Sequence, residues 1–79
     1  MAEPRYAPPA KRSVLIAGHA TSISLEPMFW SALEAAALER GSPVNALVAE
    51  IDAARLNAAS PPNLTSAIRQ WLFANGSSG

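Results

Sequence analysis

Residues 20–30 read Ala20-Thr21-Ser22-Ile23-Ser24-Leu25-Glu26-Pro27-Met28-Phe29-Trp30, and the change of period inside this stretch decides the fold. Thr21, Ile23 and Leu25 alternate with Ala20, Ser22 and Ser24, which predicts a strand with one apolar face and one small, polar face. Slipping the register by one residue would bury the serines and expose the aliphatics, so the pattern admits one orientation. Glu26-Pro27 then switches the period from two to 3.6. Proline tolerates the first turn of a helix, and an acid suits its positive end. Phe29, Leu33, Ala36 and Ala37 recur at helical spacing, Leu25 and Trp30 flank the same side, and Arg40-Gly41 closes a helix predicted over 26–40.

Upstream, Ser13 to Ile16 is a second aliphatic stretch, separated from Thr21 by Ala17-Gly18-His19. This allows either one interrupted strand or two short ones. Pro4, Pro8 and Pro9 make residues 1–10 an expected mobile arm, with order beginning near Lys11. Downstream, Ser42-Pro43 reads as a cap residue followed by proline, and Val44, Leu47, Val48 and Ile51 form the stripe of a second helix ending near Arg55. After a linker holding Pro61 and Pro62, Asn63 is placed to cap a third helix on which Leu64, Ala67, Ile68, Trp71 and Leu72 share a face. The domain is thus expected over 11–73, with a flexible tail at 74–79 whose Gly76-Ser77-Ser78-Gly79 has the composition of an expression scar.

With 79 residues the chain holds at most one domain, short of the size at which a monomer comfortably offsets chain entropy. It has no cysteine and one histidine, His19, so neither disulfides nor a metal cage supply stability, and no cofactor is expected. Oligomerisation remains, and 49% hydrophobic against 15% charged residues fits a subunit that hides surface against a twin. No apolar run approaches the roughly 20 residues of a membrane span, and the N-terminus lacks a secretory stretch, so the cytoplasm is the expected compartment. Formal charge is zero, but Arg5, Lys11 and Arg12 against Glu3 make residues 1–25 net positive, and the remainder is net negative. That polarity suits an N-terminal segment approaching a polyanion.

The fragments Lys11-Arg12-Ser13-Val14, Ala17-Gly18-His19, Thr21 to Pro27, Phe29-Trp30, Glu39-Arg40-Gly41, Asn45 to Asp52 and Asn63 to Arg69, in this order, resemble a bacterial family of ribbon-helix-helix domains, the architecture of the Arc and methionine repressors. The resemblance spans residues 11 to about 73. It implies a mostly α fold with a short N-terminal β-ribbon, here with an additional C-terminal helix. In that fold two strands pair across a two-fold axis to make a homodimer, and the ribbon enters the DNA major groove. The implied function is a DNA-binding transcriptional regulator or antitoxin. The DNA-binding residues are then Lys11 and Arg12 as phosphate contacts, His19, Ala20, Ser22 and Ser24 along the ribbon, and the backbone N–H groups of Val44 and Asn45 at the second helix start. Ile23, Leu25, Phe29, Trp30, Leu33, Leu47, Val48 and Ile51 are the implied dimer core.

His19 beside a glycine is more often a turn residue than a contact or a pH sensor. Phe29, Trp30 and Trp71, at helical spacing among leucines, read as core rather than a ligand box. Glu34, Glu39 and Glu50 are paired with no nucleophile, and no phosphate loop, zinc motif or nucleotide fingerprint occurs, so the chain is not expected to be an enzyme. The alternative function is a dimeric protein-interaction module using the third helix or the proline-rich arm. It is favoured by alanine at 20, where no bidentate base contact forms, by zero net charge, and by the N–H that Pro43 lacks.

Overall fold

The structure is a computed structural model, and residues 6–75 are described. The expected arm and tail therefore lie partly outside the described residues. Residues 6–9 have no regular structure, and five elements follow: β1 (Ala10–Ile16), β2 (His19–Leu25), α1 (Pro27–Glu39), α2 (Val44–Leu56) and α3 (Leu64–Asn75). Both strands are longer than the aliphatic stretches that signal them: β1 gains Ala10, Lys11 and Arg12 and β2 gains His19 and Ala20, none of which carries an aliphatic signal.

β1 and β2 are two strands rather than one interrupted strand. They pair antiparallel from Ala10 opposite Leu25 to Ile16 opposite His19, across a two-residue turn. Ala17 (φ 49°) and Gly18 (φ 85°) both have positive φ, the backbone of a type I′ hairpin, whose twist matches that of the strands. The ribbon is therefore closed within one chain, whereas the family resemblance implies strands paired across a two-fold axis. The physical reason is that Gly18 permits the tight turn and β1 supplies β2 with a ladder partner seven residues long.

α1 starts at Glu26-Pro27 as expected, with Glu26 as the N-cap residue. Its end is a Schellman closure: the Gly41 N–H donates to the Leu38 carbonyl and the Ser42 N–H to the Ala37 carbonyl, with Gly41 at φ 66°. This closure overturns the reading of Ser42 as a cap. Ser42 is spent on ending α1, the N-cap of α2 is Pro43 with no side-chain cap, and the Ser42 Oγ is buried without a hydrogen-bond partner. At α3 the cap expectation holds, since the Ser66 N–H donates to Asn63 Oδ1 at 2.8 Å.

One face of the ribbon lies on the helices, β1 over α2 and β2 over α1 and α3, and the three helices pack on one another. Val14 and Ile16 from β1 and Ile23 and Leu25 from β2 meet Trp30, Leu33 and Ala37 of α1, Leu47, Val48 and Ile51 of α2, and Ala67, Ile68 and Leu72 of α3. Among the described residues no polar or charged side chain belongs to the buried set. Seven of the eight residues implied as dimer core are thus buried inside a single chain, with α3 packed against α1, α2 and β2. The exception is Phe29, which is half-buried beneath the Arg69 guanidinium.

Candidate nucleic-acid interface

Antiparallel partners project to the same side of a ribbon, so the pairing assigns every strand residue to a face. Val14, Ile16, Ile23 and Leu25 are buried, and this fixes the inward side. The outward side carries Lys11, Ser13 and Leu15 from β1, opposite Ser24, Ser22 and Ala20 from β2. All six are exposed. Ala20, Ser22 and Ser24 stand together as the alternation predicted. Ser13 and Leu15 belong to the same surface but were not singled out from the sequence. The signal for them was available in the inward phase of Val14 and Ile16, once a hairpin was assumed.

Lys11 and Arg12 separate. Lys11 faces outward, while Arg12 lies opposite Ile23 on the inward side, its guanidinium 4.6 Å from the Trp30 ring centroid and its Nη1 2.8 Å from Glu34 Oε2. Stacking and pairing both hold that charge against the protein. Trp30 itself is 1% exposed, and its Nε1 donates to the Ala10 carbonyl at 2.8 Å, so the indole buries its body and satisfies its one donor on β1. The other arginines among the described residues are also engaged: Arg40 with Glu50 at 2.6 Å, Arg55 with Asp52 at 2.8 Å, and Arg69 with Glu26 at 2.8 Å. Among the described residues Lys11 is the cation without an ion pair.

His19 falls on the inward phase at the turn end of β2, where it lines a hollow with Ile16, Thr21, Asp52, Arg55 and Leu64, away from the outward face. Val44 and Asn45, at the start of α2, line a separate open hollow with Arg12, Ser13, Val14, Leu15 and Trp30. The first-turn N–H groups of α2 therefore lie beside the β1 edge, and the Pro43 carbonyl accepts from Ala46 and Leu47. No group of three acidic, histidine or cysteine side chains placed to hold a metal occurs among the described residues, and no helix there is long and apolar enough to cross a membrane.

The family model described as "Ribbon-helix-helix domain" matches residues 9–75, which takes in both strands and all three helices. The chain is a ribbon-helix-helix domain protein. Such domains are in general DNA-binding modules that usually dimerise, rather than enzymes. Neither a search of curated proteins nor one of solved structures returned a match. Lys11 lies on the outward ribbon face, and the start of α2 lies beside the β1 edge.

Proposed function

We propose that this ribbon-helix-helix protein is a cytoplasmic, homodimeric DNA-binding regulator or antitoxin that lays the outward face of its β-ribbon in the major groove. The observation that carries this reading is that face itself: Lys11, Ser13, Leu15, Ala20, Ser22 and Ser24 are all exposed, and the core takes nothing from them. Hydroxyl groups suit base edges or phosphate oxygens, and the Leu15 side chain suits a thymine methyl. Of the outward residues only Lys11 has donors that reach a guanine edge, and Ala20, Ser22 and Ser24 make no bidentate base contact. Discrimination between sequences is therefore modest, and phosphate contacts carry most of the affinity.

A fluorescence-anisotropy titration against mixed-sequence duplex DNA at several salt concentrations tests this. Affinity falls with salt, and Lys11→Ala lowers the log–log salt slope by about 0.9 for each phosphate contact removed. Arg12→Ala leaves the slope nearly unchanged and acts on stability, because Arg12 is engaged with Trp30 and Glu34. Absence of binding at low salt, or binding indifferent to salt, would sink the reading. A second reading, a protein-interaction module, is favoured by Phe73 of α3, which is 91% exposed. Under it Lys11→Ala changes nothing.

A further inference from the structure

The hollow at the turn end of the ribbon has two kinds of wall. Ile16 and Leu64 supply an aliphatic side, and His19, Thr21, Asp52 and Arg55 supply polar groups. Its volume of about 380 Å³ is that of a small-ligand site, and such sites are apolar clefts on which a few polar groups converge. The elements that meet there are distant in the chain: the β1–β2 turn, the last turns of α2 and the start of α3.

Asp52 and Arg55 give the hollow its chemistry. Two bonds from the arginine to the aspartate, from Nε at 3.0 Å and from Nη2 at 2.8 Å, both land on Oδ1, and Nη1 donates to the Pro62 carbonyl at 3.1 Å. Three of the five guanidinium N–H groups are used in this way. Asp52 Oδ2 and the other two N–H groups of Arg55 take no part in these bonds. Each side chain is only 21% exposed, so both charges stand at the wall of the hollow with most of their water already removed. Arg55 is gripped by α2 and by the loop that leads to α3, which fixes its fork in advance and keeps the ordering cost of binding small.

We propose that this hollow binds a small zwitterion, an α-amino acid with an aliphatic side chain. The ammonium group donates to Asp52 Oδ2, the carboxylate accepts from the remaining Arg55 N–H groups, and the side chain lies on Ile16 and Leu64. Charge complementarity requires both signs in one ligand. Asp52 and Arg55 stand together as a neutral pair, so a lone anion drawn to Arg55 is repelled by Asp52, and a lone cation meets the reverse. An ammonium and a carboxylate a few bonds apart satisfy both partners with charge-assisted hydrogen bonds. On the ribbon wall His19 and Thr21 add an imidazole and a hydroxyl to the same hollow. The bound molecule joins the turn end of the ribbon to α2 and α3, and its binding is independent of DNA.

The test is a titration of the full chain with L-leucine, followed through the backbone amide shifts of isotope-labelled protein. Isocaproate and isopentylamine, which keep the aliphatic body and one charge each, are titrated in parallel. The expected result is a saturable shift centred on residues 16–21, 52–55 and 64, with leucine bound at least about tenfold more tightly than either single-charge probe, the equivalent of one charge-assisted bond. Shifts that never saturate, saturable shifts centred elsewhere, or equal affinity for the three probes would overturn the proposal.

Two variants assign the contacts, each checked for folding by its amide spectrum. Asp52→Asn keeps an oxygen for Arg55 but removes the charge that the ammonium needs and that repels a lone anion. Leucine is expected to bind about tenfold more weakly and isocaproate no more weakly than before, so the preference between them collapses. A folded Asp52→Asn protein that keeps the preference overturns the ammonium contact. Leu64→Ala, which leaves the charges in place, is expected to narrow the preference for leucine over glycine, and this comparison decides the matter if Asp52→Asn does not fold. An unchanged preference there overturns the aliphatic wall. Salt-sensitive DNA binding without leucine binding rejects this site alone, and leucine binding without DNA binding rejects the DNA reading alone.

Discussion

Ser42 shows how one residue is claimed by two neighbouring elements and how tertiary structure decides between them. The dipeptide Ser42-Pro43 has the form of a helix start, and from the sequence its hydroxyl is expected to cap α2. Instead its N–H is needed one turn earlier, where it donates to the Ala37 carbonyl in the closure of α1, and the Oγ is left buried and unpartnered. An unsatisfied buried hydroxyl costs more than a methyl group in the same place, so Ser42→Ala is expected to stabilise the protein by about 1 kcal/mol. The sign is decisive: a capping serine would lose about the same amount on truncation. Urea midpoints of the two proteins settle it. Trp30 was legible as core from its spacing among leucines, but its Nε1 partner was not, because the Ala10 carbonyl is brought to it by a strand twenty residues away.

At the scale of elements, the clearest cross-brace is the ion pair between Glu26, at the start of α1, and Arg69, on α3. The hydrogen bond from Arg69 holds the Glu26 carboxyl below its ordinary value of 4.5, helped by the backbone N–H of Glu26 itself and the charge of Arg69. A carboxyl whose folded pKa is depressed contributes stability above its unfolded value, and that contribution is lost as pH falls through the folded value. The brace is therefore fully present at pH 7, begins to weaken as pH falls toward 4.5, and is lost only as pH falls through the lower folded value. Arg69→Met is expected to lower the urea midpoint more at neutral pH than in acid, where only its contact with the Phe29 ring is lost. Parallel curves from pH 7 to pH 3 would show that the pair contributes nothing. The three helices were legible because each carries a boundary signal in one or two residues: Glu26-Pro27, Gly41 and Asn63. The hairpin was legible only in part. Ala17-Gly18 lacks the Asn-Gly or Asp-Gly wording of a type I′ turn, so the local sequence does not distinguish an interrupted strand from two strands. The decision comes from Val14 and Ile16 finding α2, a long-range contact. For the same reason the candidate site was half legible, since Ser22 and Ser24 follow from alternation in β2 alone and Ser13 and Leu15 require the pairing.

For the whole molecule, the question is what completes the core of a chain this short. Composition pointed to a twin subunit, and within one chain α3 adds Ala67, Ile68 and Leu72 to the core, packed against α1, α2 and β2. The amphipathic face of α3 was visible in the sequence, but the surface it covers was not, because an apolar stripe does not name its complement. Ile68 is fully buried and is the test residue. Ile68→Ala removes buried methyl groups at a site fixed by its neighbours, an expected loss of about 2 to 5 kcal/mol. Total stability for a domain of this size is about 4 to 12 kcal/mol at 0.05 to 0.15 kcal/mol per residue, so the variant loses a large share of it, and its thermal midpoint drops steeply. The measurement belongs at a concentration where light scattering gives the mass of one chain, so that no partner contributes. If the loss there is below about 1 kcal/mol, α3 does not close the core of the free chain.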